Sequence, residues 1–152
     1  MLISLAKSAA VLGNLCGKSD NVAIGVKDNC WLGVFITKPS SDGTGGVEPS
    51  AENNYSRVNI SWLMNATNRS IVNLYDINFN MATDPSDRSV ASGHDWGTVV
   101  GFGLFSAQTG GTLYGWGDLS ASITINTGNS LNFGAGNFEV FLDASENASA
   151  TV

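Results

Sequence analysis

From residue 31 onward the chain alternates between short apolar, β-prone runs and clusters of Gly, Asn, Ser and Asp. That rhythm is the signature of many short strands joined by tight turns. Trp31 to Thr37 is apolar on both faces and predicts a buried strand that Pro39 ends. Tyr55 to Leu63 alternates, with Ser56, Val58, Ile60 and Trp62 predicted to face the core and Tyr55, Arg57, Asn59 and Ser61 the other side. Ile71 to Phe79 predicts a further strand. Trp96 to Leu119 is the organising stretch: two apolar arms flank Gln108-Thr109-Gly110-Gly111, which predicts a β-hairpin with its loop at residues 107–111. In its first arm Val99, Gly101, Gly103 and Phe105 are expected on one face, and Thr98, Val100, Phe102 and Leu104 on the other. Glycines at 101 and 103 leave room for something large, with Trp96, Trp116, Tyr114 or a neighbouring subunit as the expected occupant.

The remaining segments extend this pattern. Ser122 to Ile125, Ser130 to Phe133 and Phe138 to Leu142 read as short strands separated by turns at 126–129 and 134–137. Residues 40–53 and 82–94 read as polar loops; Asp42-Gly43-Thr44-Gly45-Gly46 has turn chemistry and lacks the acidic series of a calcium loop. Val22 to Val26 is a candidate short strand. Ahead of it, residues 2–15 change period: Leu2, Leu5, Ala9, Leu12 and Leu15 share one helical stripe, and Gly13 and Gly17 mark the end. The fold class expected is therefore all-β, an antiparallel β-sandwich of jelly-roll-like type with a short N-terminal helix. Three segments follow: 1–29 as helix and polar extension for docking or oligomer contact, 30–143 as the sandwich domain, and 144–152 as a loose tail.

Composition narrows the function. A chain of 152 residues with 7 Lys plus Arg against 13 Asp plus Glu carries a net charge of −6. No basic patch is present to neutralise a phosphate backbone, so nucleic acid is not an expected partner. The stretch 1–15 lacks a basic n-region, and no apolar run is long enough to span a bilayer, so neither a signal peptide nor membrane insertion is expected. Cys16 and Cys30 permit a disulfide without specifying one, and a single His, His94, rules out a four-ligand Cys/His zinc site within one chain.

Reactive groups do not converge in the sequence. His94 and Asp95 are adjacent, so their side chains diverge on an extended backbone. Asp118 and Glu139 lie on different predicted strands, and nothing brings them together. No nucleophile elbow or phosphate-binding loop occurs. The expectation is a non-enzymatic protein with no catalytic residue, metal site or cofactor. Carbohydrate binding is the alternative, because Trp31, Trp96 and Trp116 have faces on which a sugar can stack.

An ordered series of motifs carries a resemblance. Leu32-Gly33-Val34-Phe35-Ile36-Thr37-Lys38-Pro39 is followed by Asp42-Gly43-Thr44-Gly45-Gly46-Val47-Glu48 and Asn54-Tyr55-Ser56-Arg57-Val58. Trp96-Gly97-Thr98-Val99, Phe102-Gly103-Leu104-Phe105, Thr109-Gly110-Gly111 and Gly117-Asp118-Leu119 come next, then Asn126-Thr127-Gly128, Phe133-Gly134-Ala135-Gly136 and Leu142-Asp143. The series, over roughly residues 30–143, resembles small tailed-bacteriophage virion proteins commonly described as tail fibre proteins. Gly101 departs from it, standing where the family often has His, and residues 14–29 and 84–94 are longer than usual. The resemblance implies a structural component of the virion, in a tail appendage or decorating the capsid, made in the bacterial host cytoplasm. It implies other virion proteins as partners. The edge strands of a small sandwich invite pairing, so a symmetric homo-oligomer that covers them is expected, commonly a trimer. The stripe Leu2, Leu5, Ala9, Leu12 and Leu15 is the candidate docking contact. A host surface glycan at Trp31, Trp96 and Trp116 is what the carbohydrate-binding receptor or adhesin alternative would engage.

Overall fold

The computed structural model describes residues 30–65, 70–90, 93–142 and 148–151. The helix expected over 2–15, its stripe and the strand expected over 22–26 lie outside the described residues. Among the described residues the strands are β1 Trp31–Phe35, β2 Val58–Asn59, β3 Trp62–Asn65, β4 Ser70–Asn73, β5 Ile77–Met81, β6 Gly97–Phe105, β7 Leu113–Ile125, β8 Ser130–Phe133, β9 Glu139–Leu142 and β10 Ala148–Thr151. A 3₁₀ turn, Ala51–Asn53, is the helical element.

Eight strands form one sheet in the order β2-β1-β6-β7-β10-β9-β4-β3, and β5 and β8 form a separate two-stranded ribbon. Pairing is antiparallel throughout except between β7 and β10. The outer strands β2 and β3 are joined by residues 60 and 61 alone. The Ile60 N–H donates to the Cys30 carbonyl at 2.9 Å, and the Leu74 N–H to the Ser61 carbonyl at 2.9 Å. Each linker residue therefore belongs to a different end of the sheet, and the sheet must curl until its edges approach. It does not close into a hydrogen-bonded barrel.

The ribbon continues β4 and β9 past a paired bend. Asn73, 1% exposed, ties that bend together. Its amide donates to the carbonyls of Tyr75 and Gly134, both at 2.8 Å, and its side-chain oxygen accepts from the Phe138 N–H at 2.9 Å. A buried amide so fully bonded incurs little of the usual desolvation cost. Leu32, Val34, Phe102 and Leu104 supply the inner face of the curled sheet. Phe138 sits among Phe133, Phe102 and Trp62, with ring centroids at 5.0, 5.4 and 6.1 Å. Trp96 packs edge-on against Tyr55 at 5.2 Å and Phe79 at 6.1 Å.

The all-β class with mainly antiparallel pairing agrees with the sequence, as do the 107–111 hairpin loop and the turns at 126–129 and 134–137. Gly110 and Gly111 have φ of 62° and 75°, the conformation that a tight reversal requires. Several details differ. The strand expected over Tyr55–Leu63 is broken at 60–61, which sends β2 and β3 to opposite ends of the sheet, and Tyr55 is buried rather than on a polar face. Ile71–Phe79 is broken by the Asn73 bend into β4 and β5. Val99 shares the core with Phe102 and Leu104; the β6–β7 register shifts just there, where residues 119–122 of β7 bulge opposite Val100 alone, and the alternation changes phase. The strand expected over Ser122–Ile125 is the far half of β7. The tail expected over 144–152 contains β10, which pairs with both β7 and β9. The space over Gly103 is filled by Phe35, Phe105 and Leu113, and that over Gly101 by the Gly117 carbonyl and the Lys38 side chain, not by Trp96, Trp116 or Tyr114.

Two substitutions test this packing by thermal or denaturant unfolding. A Cβ at Gly103 would stand 2.7 Å from Phe35 and 2.8 Å from Phe105, so Gly103→Ala is expected to destabilise by roughly 1–3 kcal/mol. A Cβ at Gly115 would meet nothing within 4 Å, so Gly115→Ala is expected to be neutral or to stabilise by about 0.4–1 kcal/mol.

Candidate functional site

Strand β1 has a short partner. β2 pairs only with Trp31 and Leu32, which leaves the next backbone groups on that edge without a strand neighbour. Two substitutes complete the edge. The Val34 N–H donates to the Tyr55 hydroxyl at 2.9 Å. Farther on, the Ile36 N–H donates to the Val47 carbonyl at 2.8 Å, and Thr37 bridges Val47. An edge finished in this way is closed to chance strand pairing.

Tyr55 in turn donates to Glu48 Oε1 at 2.6 Å. Glu48 lies directly over Gly33, whose Cβ, if it had one, would be 2.5 Å from Glu48 Oε1. Arg57 closes the group. Its Nε lies 3.0 and 3.1 Å from the two Glu48 oxygens, and its Nη2 donates to Oε2 at 2.6 Å. Its Nη1 donates to the carbonyls of Ala107 at 3.0 Å and Gly110 at 2.6 Å, at the hairpin tip. Its Cζ stands 3.3 Å from the Phe105 ring centroid. The side chains of Arg57 and Glu48 are 11% and 22% exposed, so the pair is well shielded from screening. Burial, then the neighbouring Glu48 charge, raise the Tyr55 pKa far above its usual range. The hydroxyl keeps its proton and can donate to Glu48 while accepting from Val34. One ion pair thus fastens the strand edge, the 39–48 loop and the hairpin tip. Gln108 Nε2 adds a bond to the Arg57 carbonyl at 3.3 Å.

The three candidate tryptophans separate. Trp96 is 2% exposed, and its Nε1 donates to the Asn53 carbonyl at 2.8 Å, so its faces are taken up by the core. Trp31 and Trp116 are half-buried on the outer face of the sheet, on strands flanking β6, where Trp31 is in register with Phe105 and Trp116 with Gly103. Asp118 forms an exposed ion pair with Lys38 at 2.8 Å. It stands on β7, separated by β10 from Glu139 on β9, so the two carboxylates are not brought together. His94 and Asp95 turn to different partners. His94 Nε2 is 3.7 Å from Asp84 Oδ2, while Asp95 Oδ1 accepts from the Thr127 N–H at 2.6 Å and hydroxyl at 2.8 Å. These Thr127 bonds, backbone first, hold the Asp95 pKa below its usual range, and Ser86, side chain first, does the same for Asp84. Asp42 is lowered by the Thr44 N–H and hydroxyl, which is the turn chemistry expected of that loop.

The geometry describes a hydrogen-bonded cluster that joins a strand edge, a loop and a hairpin tip, and Glu48, Tyr55 and Arg57 all fall within the stretch that a family model matches. The family model of the podophage GP4 fiber I protein gp80 covers residues 8–140. The chain belongs to this family. It is therefore a phage fibre protein, a component of the virion. No curated protein matches it. The sequence of this fibre protein does not reveal Glu48, Tyr55 and Arg57 as one group, although each stands in a motif of the family-like series. The signal was present as Gly33 and Gly103 within otherwise apolar strands, since a glycine there marks a close approach.

Substitution at Arg57 tests the group. Arg57→Ala leaves Glu48 under-compensated and is expected to destabilise by on the order of 3 kcal/mol, whereas Arg57→Lys keeps the charge, loses the fork and falls between. Acid unfolding tests the aspartates. With Asp42, Asp84 and Asp95 held below the ordinary value of 3.8, the unfolded chain takes up protons first. Stability is expected to be level above about pH 5 and to fall as pH drops through 4 and below, and Asp95→Asn should flatten that slope.

Proposed function

We propose that this fibre protein acts without catalysis, as a structural segment of the podophage tail fibre that docks on other virion proteins and associates with copies of itself. The family match over residues 8–140 is the observation that carries the reading. The physical support is rigidity: the strand edge, the 39–48 loop and the hairpin tip share one shielded ion pair, so the surface they form is preorganised. In this reading the curled sheet and the β5–β8 ribbon serve as the two layers of a jelly-roll-like sandwich. Segment 1–29 makes the docking contact through Leu2, Leu5, Ala9, Leu12 and Leu15, and the copies form a closed symmetric oligomer, a trimer. Repetition along the particle makes modest contacts sufficient through avidity. A tail-fibre position is preferred to capsid decoration because the matched family is a fibre family.

A second reading has a specific observation in its favour. Trp31 and Trp116 share the outer face and remain partly accessible, as a glycan-binding adhesin would need, whereas Trp96 has no free face to offer.

Gold-labelled antibody against this chain is expected to mark the fibres of intact particles, and label confined to the capsid shell would overturn the tail reading. Deleting residues 1–15 is expected to abolish incorporation into particles while the β-domain still unfolds cooperatively; normal incorporation would remove the helix from the account. Binding of host-surface glycan by intact protein, abolished by Trp31→Ala, would favour the adhesin reading instead.

A further inference from the structure

The 39–48 loop carries the one Asp-Gly step in the sequence, Asp42-Gly43, and no Asn-Gly step occurs. An Asp-Gly step is open to a reaction within the main chain, because glycine has no side chain to obstruct approach to its nitrogen. The glycine nitrogen attacks the Cγ of a protonated aspartate, and a five-membered succinimide ring closes. The amide proton and the carboxyl hydroxyl leave together as water. Water then opens the ring at either carbonyl, giving back aspartate or giving isoaspartate. In isoaspartate the main chain runs through the side-chain carbon and is one methylene longer.

In the folded chain both reacting groups are engaged. The Gly43 N–H, whose proton must be lost, donates to the Ser40 carbonyl at 2.8 Å. Asp42 Oδ1 accepts from the Thr44 N–H at 3.0 Å and from the Thr44 hydroxyl at 2.8 Å. The Ser40 N–H donates to the Thr44 carbonyl at 2.8 Å, so residues 40–44 form a closed turn. The Thr44 bonds, backbone first, hold the Asp42 carboxyl below its usual range and so favour the ionised, unreactive form. Burial gives no protection, since Asp42 and Thr44 are both exposed. We propose that Asp42-Gly43 is a latent site of covalent modification by isomerisation, held dormant in the folded protein by its bonds to Thr44 and Ser40. The site has structural reach. Gly43 lies beside Leu113, and farther along the same loop Val47 completes the β1 edge and Glu48 holds Arg57. An added methylene at residue 42 breaks the closed turn and displaces the start of the loop that fastens that edge.

Incubation of the full chain in heavy-oxygen water at neutral pH tests the site. Each passage through the succinimide leaves heavy oxygen in residue 42, and electron-transfer mass spectrometry identifies the isoaspartate formed there. The folded protein is expected to take up label at residue 42 at least about tenfold more slowly than the same chain unfolded in urea, in line with two hydrogen bonds to a charged group. Thr44→Val keeps the backbone N–H and loses the hydroxyl, and is expected to label about fivefold faster than the folded parent. Thr44→Ser retains a hydroxyl and should stay at the parent rate, and all three chains should label alike in urea. Equal rates in the folded and unfolded parent would overturn the dormancy. A Thr44→Val rate equal to the folded parent's would overturn the part given to Thr44, and absence of label at residue 42 even in urea would remove the site.

Discussion

The Glu48 carboxylate occupies the space that a side chain at position 33 would need, and much of the outer architecture depends on that contact. Gly33 allows the carboxylate to lie on the strand, the carboxylate holds Arg57, and Arg57 holds the hairpin tip through two backbone carbonyls. Phe105 stacks beneath the guanidinium, so the charge sits on an aromatic face and is shielded from solvent. A buried ion pair contributes modest net stability compared with well-packed apolar groups, but it is geometrically demanding. Here the demand is on register. Arg57 reaches Glu48, Ala107 and Gly110 together only when the edge strand, the 39–48 loop and the hairpin are all in place.

This arrangement suits a fibre protein. A strand edge left unpaired is a template for pairing with other chains. The edge of β1 is completed by a hydroxyl and by Val47 rather than left open to other chains. The opposite device operates at the sheet centre, where β10 fills a gap between two half-sheets. One edge is sealed against pairing while another is built around it.

The strands, their turns and the central hairpin were legible in the sequence because periodicity and glycine placement report local geometry directly. What escaped was non-local. Val99 sits out of phase because a bulge depends on the partner strand, and alternation within one strand cannot reveal it. The Tyr55–Leu63 run alternates well enough to read as one strand, yet residues 60–61 divide it between the two ends of a curled sheet. Tyr55 and Arg57 lie on the side of that run that reads as polar. Tyr55 is buried and Arg57 largely shielded because Glu48, brought by a distant loop, gives each a charged partner. β10 was missed because Ala and Ser carry little strand propensity, and its placement is decided by the two edges it bridges.

Amide hydrogen exchange at Val34 in a Tyr55→Phe variant tests the central claim most directly. The Val34 N–H has the Tyr55 hydroxyl as its partner on the open edge, so loss of that oxygen should raise its exchange rate at least about tenfold, in line with loss of a hydrogen bond of about 1.5 kcal/mol. The Gly103 and Leu104 amides, within the β1–β6–β7 ladder, should remain protected. An unchanged rate at Val34, or equal deprotection along the whole of β1 and β6, would contradict the account.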